Sequence, residues 1–454
     1  MIVMRHNSSQ LRARLAALSV ALLLCLFAGL SPTLAQPGVP VVDLTLGSST
    51  QGRPITAIRV GSGPRKVVLV GATHGYPERN TYALVTQLAE HFRRDPAAVP
   101  PGISLYIIPL LNPDGLELQS RFNANGVDLN RNMDTGADDC PQNDWQPIVA
   151  GAYGLTAETG GPYSDSEVES RLIRDFLLDA DAVVFFHSNA GVVFPACAHQ
   201  PSADLARIYA DGAGYVFIPA WDRYVITGGM SDWAGGLGIT ALIPELVTGD
   251  LPEFEQNLGG VQATLNAVES IVPPAEPRVE GGIEVQPIIW RAWKAWGGQA
   301  LFGQPLGPAV KTATGWSQRF ERARLEYLPA QTTTTAPVQS ALLGRELFGP
   351  EVDEPEAPAE GARFFPETQH NVRQPFADFW QINGGLPIFG LPLGPEQQTS
   401  DDVGAPVVRQ VFERAVLERP VAATSIFEVS LVPLGRIEWA QIDARSIQTG
   451  IQPR

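Results

Sequence analysis

Two kinds of apolar pattern alternate along residues 40–275 of the chain. Apolar, β-branched runs predict strands at 66–71, 103–110, 182–186 and 239–243. Amphipathic stretches predict helices at 79–92, 166–178, 203–213 and 254–271. This alternation predicts an α/β fold, a mixed, mainly parallel sheet with helices on both faces. We therefore expect functional side chains at the ends of strands.

An internal repeat follows this segment. The first copy contains Trp293, Gly297-Gly298, Phe302-Gly303 and Pro305-Leu306-Gly307-Pro308, and the second contains Trp380, Gly384-Gly385, Phe389-Gly390 and Pro392-Leu393-Gly394-Pro395. Both copies continue into Phe-Glu-Arg-Ala (320–323 and 412–415) and Leu-Gly-Arg (343–345 and 434–436). We predict two small β-rich modules. The predicted division is a domain at 40–275, a linker at 276–284, modules at 285–349 and 363–440, and an acidic, Pro-rich linker at 350–362.

The amino terminus has the pattern of a secretory signal peptide at 1–35. Arg5, Arg12 and Arg14 precede an apolar run at 15–30, and small residues flank Leu34 before a cleavage point after Ala35. A membrane anchor is the alternative, but the apolar run is short for a span and Pro32 follows it closely. We expect export from a bacterial cell, with no integral membrane span left after cleavage.

The net charge bears on the expected partners, and the cysteine content bears on disulfide formation. The formal net charge is −16, so nucleic acid is not an expected partner. Two cysteines remain after the signal, Cys140 and Cys197. Export permits a disulfide between them, but two unpaired thiols fit the sequence as well.

Three residues have the chemistry and the placement of metal ligands. His74 follows a predicted strand, Glu78 begins the next predicted helix, and His187 ends another apolar strand. Two histidines and one carboxylate, with a fourth position open, form a catalytic zinc set. A structural histidine in a core is the alternative for either histidine taken alone.

The polar run Arg121-Phe122-Asn123-Ala124-Asn125-Gly126-Val127-Asp128-Leu129-Asn130-Arg131-Asn132 follows the turn at 112–115. It resembles the substrate-binding signature of zinc peptidases of the carboxypeptidase A type. The resemblance covers residues 40–275 and implies one Zn²⁺ per catalytic domain, held by His74, Glu78 and His187. Glu78 stands four residues after His74 rather than the commoner three, where this chain has Pro77.

The resemblance also implies roles for residues around the metal. Asn130 and Arg131 match the pair that holds the terminal carboxylate of a peptide, and Arg forms a bidentate fork on such a group. Arg121 matches the residue that stabilises the oxyanion, and Asp128 the carboxylate that orients His74.

Three further matches lie downstream. Tyr224 corresponds to the family's mobile tyrosine, which caps the terminal residue. Ser231 stands at the charge-determining position of the terminal side-chain pocket, so a neutral side chain is expected. Glu245 matches the general base that takes a proton from water and returns it to the leaving amine.

The expected function is hydrolysis of the C-terminal bond of a peptide substrate. One alternative is an amidase that cleaves peptidoglycan stem peptides, and another is a secreted binding protein with an inactive peptidase domain. The repeat modules could bind a cell-surface glycan or the cell wall through their aromatic residues. Alternatively, those aromatic residues form the cores of the modules.

Overall fold

Residues 41–246 build a mixed sheet in a computed structural model that describes residues 38–150, 156–329, 336–349 and 355–449. The predicted signal peptide at 1–35 lies outside the described residues, as do residues 350–354 of the predicted acidic linker. The strands of this segment are β1 Val41–Ser48, β2 Pro54–Val60, β3 Arg65–Val70, β4 Ile103–Ile108, β5 Val149–Ala150, β6 Thr156–Ala157, β7 Ala182–Phe185, β8 His187–Ser188, β9 Val192–Pro195, β10 Val216–Phe217 and β11 Thr240–Leu246.

The order of strands in the sheet is β1-β2-β4-β3-β7-β11-β9-β10, with β8 also paired to β11. β3 runs parallel to β4 and β7, and β11 runs parallel to β7 and β8. Antiparallel pairs occur at β1–β2, β2–β4 and β9–β11. The sheet is therefore mixed and mainly parallel, which confirms the predicted fold class.

Both faces of the sheet are buried. The helices of this segment are α1 Arg79–Arg94, α2 Pro113–Glu117, α3 Val168–Leu177, α4 Gln200–Ala213, α5 Met230–Gly236 and α6 Phe254–Ile271. Alternate residues of β3 face opposite sides because successive side chains of a strand point in opposite directions. Val67 and Leu69 pack with residues of α1, α4 and α6, whereas Val68 and Val70 belong to a core shared with α3 and α5.

The rest of the described chain forms a hairpin and two modules of similar order. The hairpin is β12 Arg278–Glu280 and β13 Ile283–Val285, and the first module contains α7 Pro287–Ala295, α8 Gly298–Phe302, β14 Val310–Lys311, β15 Trp316–Arg319, β16 Arg324–Tyr327, β17 Val338–Ser340 and α9 Leu343–Phe348. The second contains β18 Arg363–Phe365, β19 His370–Val372, α10 Phe376–Ile382, α11 Leu386–Phe389, β20 Gln397–Ser400, β21 Pro406–Val411, β22 Val416–Pro420, β23 Ser430–Leu431 and α12 Leu434–Thr449. The hairpin occupies most of the segment that the sequence predicts as a linker at 276–284. The module boundaries stay predictions.

The repeated residues hold equivalent positions in the two modules. Trp293 and Trp380 are about 95% buried, and their indole N–H groups donate to the carbonyl oxygens of Gly303 and Gly390 at 3.1 and 3.0 Å. Each module has a four-stranded antiparallel sheet, β14 to β17 in the first and β20 to β23 in the second. The repeated tryptophans thus lie in the module cores.

The Leu-Gly-Arg segment of each module packs against the Phe-Glu-Arg-Ala segment of the other module. Gly344, in the first module, lies against the carbonyl oxygen of Phe412, and Gly435, in the second, lies against that of Phe320. A Cβ atom would come within 1.9 and 1.8 Å of those oxygens, so both contacts require glycine. Each module therefore contributes a close glycine contact to the backbone of the other.

The first module also packs on the 40–275 segment through a buried arginine. Arg291 of α7 is 4% exposed, and burial lowers the pKa of its guanidinium to about 10, so the group stays charged at neutral pH. The guanidinium donates to four main-chain carbonyl oxygens of that segment at 2.9–3.1 Å, those of Leu178, Ala180, Leu237 and Gly238. Trp296 adds an indole N–H bond to Asp175 at 2.8 Å. The first module therefore binds the chain segments that lead into β7 and β11.

No helix among the described residues is both long enough and apolar enough to cross a membrane.

Replacing Arg291 with Ala should destabilise the whole protein. The change leaves four buried carbonyl oxygens without their donor, and we expect the free energy of unfolding to fall by roughly 2–4 kcal/mol. Denaturant unfolding followed by tryptophan fluorescence measures this. Lys294→Ala, on the same helix, is the control because it leaves the four carbonyl contacts in place. Equal unfolding midpoints for the two variants would contradict the proposed role of this interface.

Candidate active site

The carboxyl ends of parallel strands bring three candidate residues to one edge of the sheet. His74 follows the end of β3, His187 begins β8 directly after β7, and Glu245 lies near the end of β11. The register of β8 and β11 places Glu245 opposite His187. Parallel pairing therefore gathers side chains that are 58 to 171 residues apart in the sequence.

His74, Glu78 and His187 form a buried cluster with the composition of a metal site. The Nδ1 atoms of the two imidazoles lie 3.1 Å apart, and they lie 2.6 and 2.9 Å from the two carboxylate oxygens of Glu78. The three potential ligand atoms all lie within 4.8 Å of one another. Burial alone would raise the pKa of Glu78, but the two imidazoles outweigh burial and hold that pKa far below its ordinary value.

The orientation of His74 fits a zinc ligand. Its Nε2 atom lies 2.9 Å from Oδ1 of Asp128, which leaves Nδ1 free to face Glu78 and His187. A ligating histidine commonly has a carboxylate on its other ring nitrogen, which sets the tautomer and the ring orientation. Two imidazole nitrogens and one carboxylate are also the donors of a catalytic zinc site with an open position. The residues present therefore fit Zn²⁺.

Arg121 links the metal cluster to the predicted substrate signature. Its Nε atom donates to Oδ2 of Asp128 at 2.9 Å, and Nη1 donates to Oε1 of Glu78 at 3.2 Å. Burial opposes the charged form of Arg121, but the two carboxylates outweigh it and raise the pKa above its ordinary value. The guanidinium is thus a fixed cation beside the cluster.

A short 3₁₀ turn, Leu129–Arg131, positions the predicted carboxylate-binding pair. Asp128 caps the turn by accepting the N–H of Asn130 at 3.0 Å, and Asn130 accepts the N–H of Met230 at 2.9 Å. Nη1 of Arg131 donates to the carbonyl oxygen of Asn130, whereas Nε of Arg131 is buried with no acceptor among the described residues. An unsatisfied buried guanidinium N–H is costly unless a ligand accepts from it.

Eight of the ten predicted site residues line one cavity of about 400 Å³, which we call the metal-site cavity. They are His74, Glu78, Arg121, Asn130, Arg131, His187, Tyr224 and Glu245. Asp128 lies behind His74. The guanidinium of Arg131 lies 5.8 Å from the ring centre of Tyr224, which is half-buried.

Glu245 has an environment suited to proton transfer near neutral pH. Burial and the neighbouring charge of Glu78 together raise its pKa to about 7, against the opposing effect of His187, Arg121 and Arg223. A divalent cation at the cluster would lower the pKa because a cation favours the carboxylate form. Glu245 therefore combines access to the metal-site cavity with a pKa in the working range of a general base.

Ser231 lines a second, adjoining cavity of about 280 Å³, the side-chain cavity. Its wall is largely apolar and includes Phe194, Pro195, Ala220, Val225 and Ile226. Asp232 also lines it, but its oxygens accept the N–H of Cys197 at 2.8 Å and the amide of Asn143 at 2.9 Å. Burial raises the pKa of Asp232 to about 6. Cys140 and Cys197 form a disulfide beside this cavity, which resolves the alternative that the sequence leaves open.

Sequence reasoning missed Trp221 and Arg223, which both line the metal-site cavity. The available signal is the run Trp221-Asp222-Arg223 directly before Tyr224, which places an aromatic residue and a cation beside a predicted substrate contact. Nothing in the periodicity marks this run, because it belongs to an irregular loop.

Comparison with known proteins agrees with this chemistry. Residues 40–210 match the family model of the zinc carboxypeptidases. Carboxypeptidase SOL1 of Arabidopsis thaliana is 30% identical over 100 residues, 20% of this chain and 20% of that protein. Bacteriocin BCN5 of Clostridium perfringens is 25% identical over 264 residues, 55% of this chain and 28% of that protein. The chain thus matches between a fifth and three-tenths of the length of these relatives.

Among solved structures, thrombin activatable fibrinolysis inhibitor aligns with 51% of this chain and 70% of its own, at 19% identity and a TM-score of 0.44.

Removing any one of the three candidate ligands should abolish metal binding. His74→Ala, His187→Ala and Glu78→Ala each leave two protein ligands, which hold zinc poorly. Zinc per chain is measured by atomic emission after dialysis. His199→Ala is the control, since His199 lies outside the cluster and faces Ser202. Full zinc in the His74 or His187 variant would refute the ligand assignment, and full zinc in Glu78→Ala would remove Glu78 from it.

Proposed function

We propose that this protein is a secreted, zinc-dependent carboxypeptidase that hydrolyses the C-terminal bond of peptides. The observation that carries the proposal is a single cavity that joins a His–Glu–His cluster, a carboxylate whose pKa is raised to about 7, and a buried arginine whose Nε–H has no acceptor in the described part of the chain. The match of residues 40–210 to the zinc carboxypeptidase family supports it.

Asn130 and Arg131 would bind the terminal carboxylate of the peptide. Arg131 has a buried Nε–H group with no acceptor among the described residues, and the side chain of Asn130 is held by Met230. A guanidinium binds a carboxylate through two parallel hydrogen bonds, so this contact selects a free chain end. Tyr224, beside Arg131, is placed to cover the terminal residue.

Glu245 would act as general base and then as general acid. Zinc, when bound, supplies Lewis acidity and lowers the pKa of water at the site. Glu245 takes a proton from the attacking water and returns it to the leaving amine. Arg121 lies in the same cavity and its fixed charge stabilises the oxyanion that forms at the scissile carbonyl. Asp128 keeps His74 and Arg121 in position.

The side-chain cavity favours a neutral terminal residue. Apolar groups form most of its wall, Ser231 stands at the charge-determining position, and both oxygens of Asp232 are bound within the protein. An acidic terminal side chain would lose hydration without meeting a Lys or Arg in this wall, and the one further carboxylate that a basic side chain would meet there is the exposed Asp222.

Secretion and attachment are part of the same proposal. The pattern at 1–35 predicts export, and the repeat modules would hold the enzyme near a glycan or the cell wall. Because Trp293 and Trp380 are buried, such binding would use other residues of the modules.

A free C-terminal carboxylate should be required for cleavage. We expect amidated peptides to be poor substrates, and Arg131→Ala to lower kcat/KM for free peptides by at least about 100-fold, because a buried charge-assisted pair is lost. Liquid chromatography of a matched set of free and amidated peptides measures both effects. Equal cleavage of the two sets would exclude an exopeptidase, and cleavage confined to a peptidoglycan stem peptide would favour the amidase alternative.

Replacing Glu245 with Gln should remove turnover while zinc remains bound. The variant keeps the shape and hydrogen bonding of the side chain but loses the base, which costs roughly 10²–10⁴ in rate. The loss should lie at or beyond the upper end because the same residue also protonates the leaving amine. Zinc content and kcat are measured on one preparation. Retained turnover would exclude Glu245 from the chemistry, and lost zinc would make it a ligand. Wild-type protein that binds zinc but turns over no peptide would favour the inactive binding protein.

A further inference from the structure

Arg223 is a cation in the metal-site cavity to which the proposed mechanism gives no role. Its side chain is exposed and lines the cavity together with Arg121 and Arg131. Arg121 is bound to Asp128 and Glu78, and Arg131 is buried at the carboxylate-binding turn. Arg223 forms no hydrogen bond or ion pair with any described residue, so its donors are open to a ligand.

The surroundings of the other arginines show what distinguishes Arg223. Some arginines pair with carboxylates, such as Arg53 and Arg79, which lie 2.7 and 3.7 Å from carboxylate oxygens. Others, such as Arg207 and Arg278, are exposed and stack on aromatic rings as Arg223 does. Of these three stacked arginines, Arg223 is the one that lines the metal-site cavity, so its charge faces the space where a substrate would lie.

Trp221 gives Arg223 a defined position. The guanidinium lies 4.9 Å from the centre of the indole ring, within the range of a cation–π interaction. The indole is itself packed against Phe194 and Tyr224, with ring centres 5.4 and 5.6 Å away. A guanidinium stacked on a packed ring loses less rotational freedom when it binds an anion than a free side chain would.

The position of Arg223 relative to the two cavities indicates which part of the substrate it meets. The side-chain cavity, where the terminal side chain would lie, is lined by Trp221 but not by Arg223. Asn130 and Arg131 already bind the terminal carboxylate in the proposed function. The remaining part of a peptide in the metal-site cavity is the residue on the acyl side of the scissile bond.

We propose that Arg223, held on Trp221, forms a subsite for a second carboxylate, carried by the penultimate residue of the substrate. The preferred substrates are then acidic peptides with a neutral last residue. This inference rests on the proposed carboxypeptidase function and narrows its substrate class. The carboxylate could belong to a Glu side chain of an ordinary peptide, or to the free α-carboxylate of a γ-linked Glu in a wall stem peptide.

The test compares peptides that differ only in the penultimate residue, Glu or Gln, before a common C-terminal Leu. We expect the wild type to have a kcat/KM about threefold to tenfold higher for the Glu peptide at low salt, as befits a partly exposed charge-assisted contact. Added salt should lower this ratio because it screens exposed charges. In Arg223→Gln the ratio should fall to about one, and Arg223→Lys should keep part of it.

Arg278→Gln is the matched control. Arg278 is also exposed and stacked on a tryptophan, Trp290 at 5.2 Å, but neither residue lines the metal-site cavity. This variant should keep the wild-type ratio, which separates a local contact from the loss of one positive charge. A wild-type ratio of one or less both here and in the γ-linked pair described next, or the same ratio in Arg223→Gln as in the wild type, would overturn the inference.

A second pair of substrates separates the two sources of the carboxylate. These are γ-linked Glu stem peptides with the α-carboxylate free or amidated. An Arg223-dependent preference in this pair alone would assign the subsite to wall peptides, and one in the linear pair alone would assign it to ordinary peptides. If zinc-loaded wild type cleaves neither pair, the proposed function fails, whereas cleavage without any acid preference overturns only the inference.

Discussion

The parallel pairing of β3, β7 and β11 is the constraint on which the candidate site depends. Parallel strands end at the same edge of a sheet, and here that edge receives His74, His187 and Glu245. A shift of β11 by one residue would turn Glu245 to the opposite face, because side chains alternate along a strand. The burial of both faces of the sheet fixes this register, so the packing of the core also sets the geometry of the site.

Buried charge is the second constraint, and it couples the site to the fold. Glu78 and Asp128 are almost fully buried, the side chain of Arg121 is 13% exposed, and the three bind one another or the imidazoles. An isolated charge on any of these three side chains would be strongly disfavoured in the protein interior. In the cluster, each carboxylate has a cation or a ring N–H within 3.2 Å. A metal cation would add positive charge at the point where the two Nδ1 atoms and Glu78 meet. The potential ligand atoms of the cluster are therefore already close together before a cation binds.

Local patterns account for what could be predicted from the sequence. Periodicity marked the central strands and the helices α1, α3, α4 and α6 to within a few residues. Glu78 occupies the N-cap position of α1, directly before Arg79. This position accommodates its wider spacing from His74. The disulfide, Trp221 with Arg223, and the bonds of Arg291 could not be predicted, since each joins irregular segments or residues far apart. Arg291 lies 53 to 113 residues from the carbonyl groups it binds.

The two repeats show which positions build a module and which give it a specific contact. Residues common to both copies, such as Trp293 and Trp380, are buried and serve the module's own core. The hydrogen bonds of Arg291 and Trp296 to the 40–275 segment come from positions where the copies differ, because these residues correspond to Asp378 and Asn383 in the second copy. Those two residues bond within their own module, to Gln374 and Phe379. The repeated residues therefore build the module core, and residues specific to the first copy supply its hydrogen bonds to the 40–275 segment.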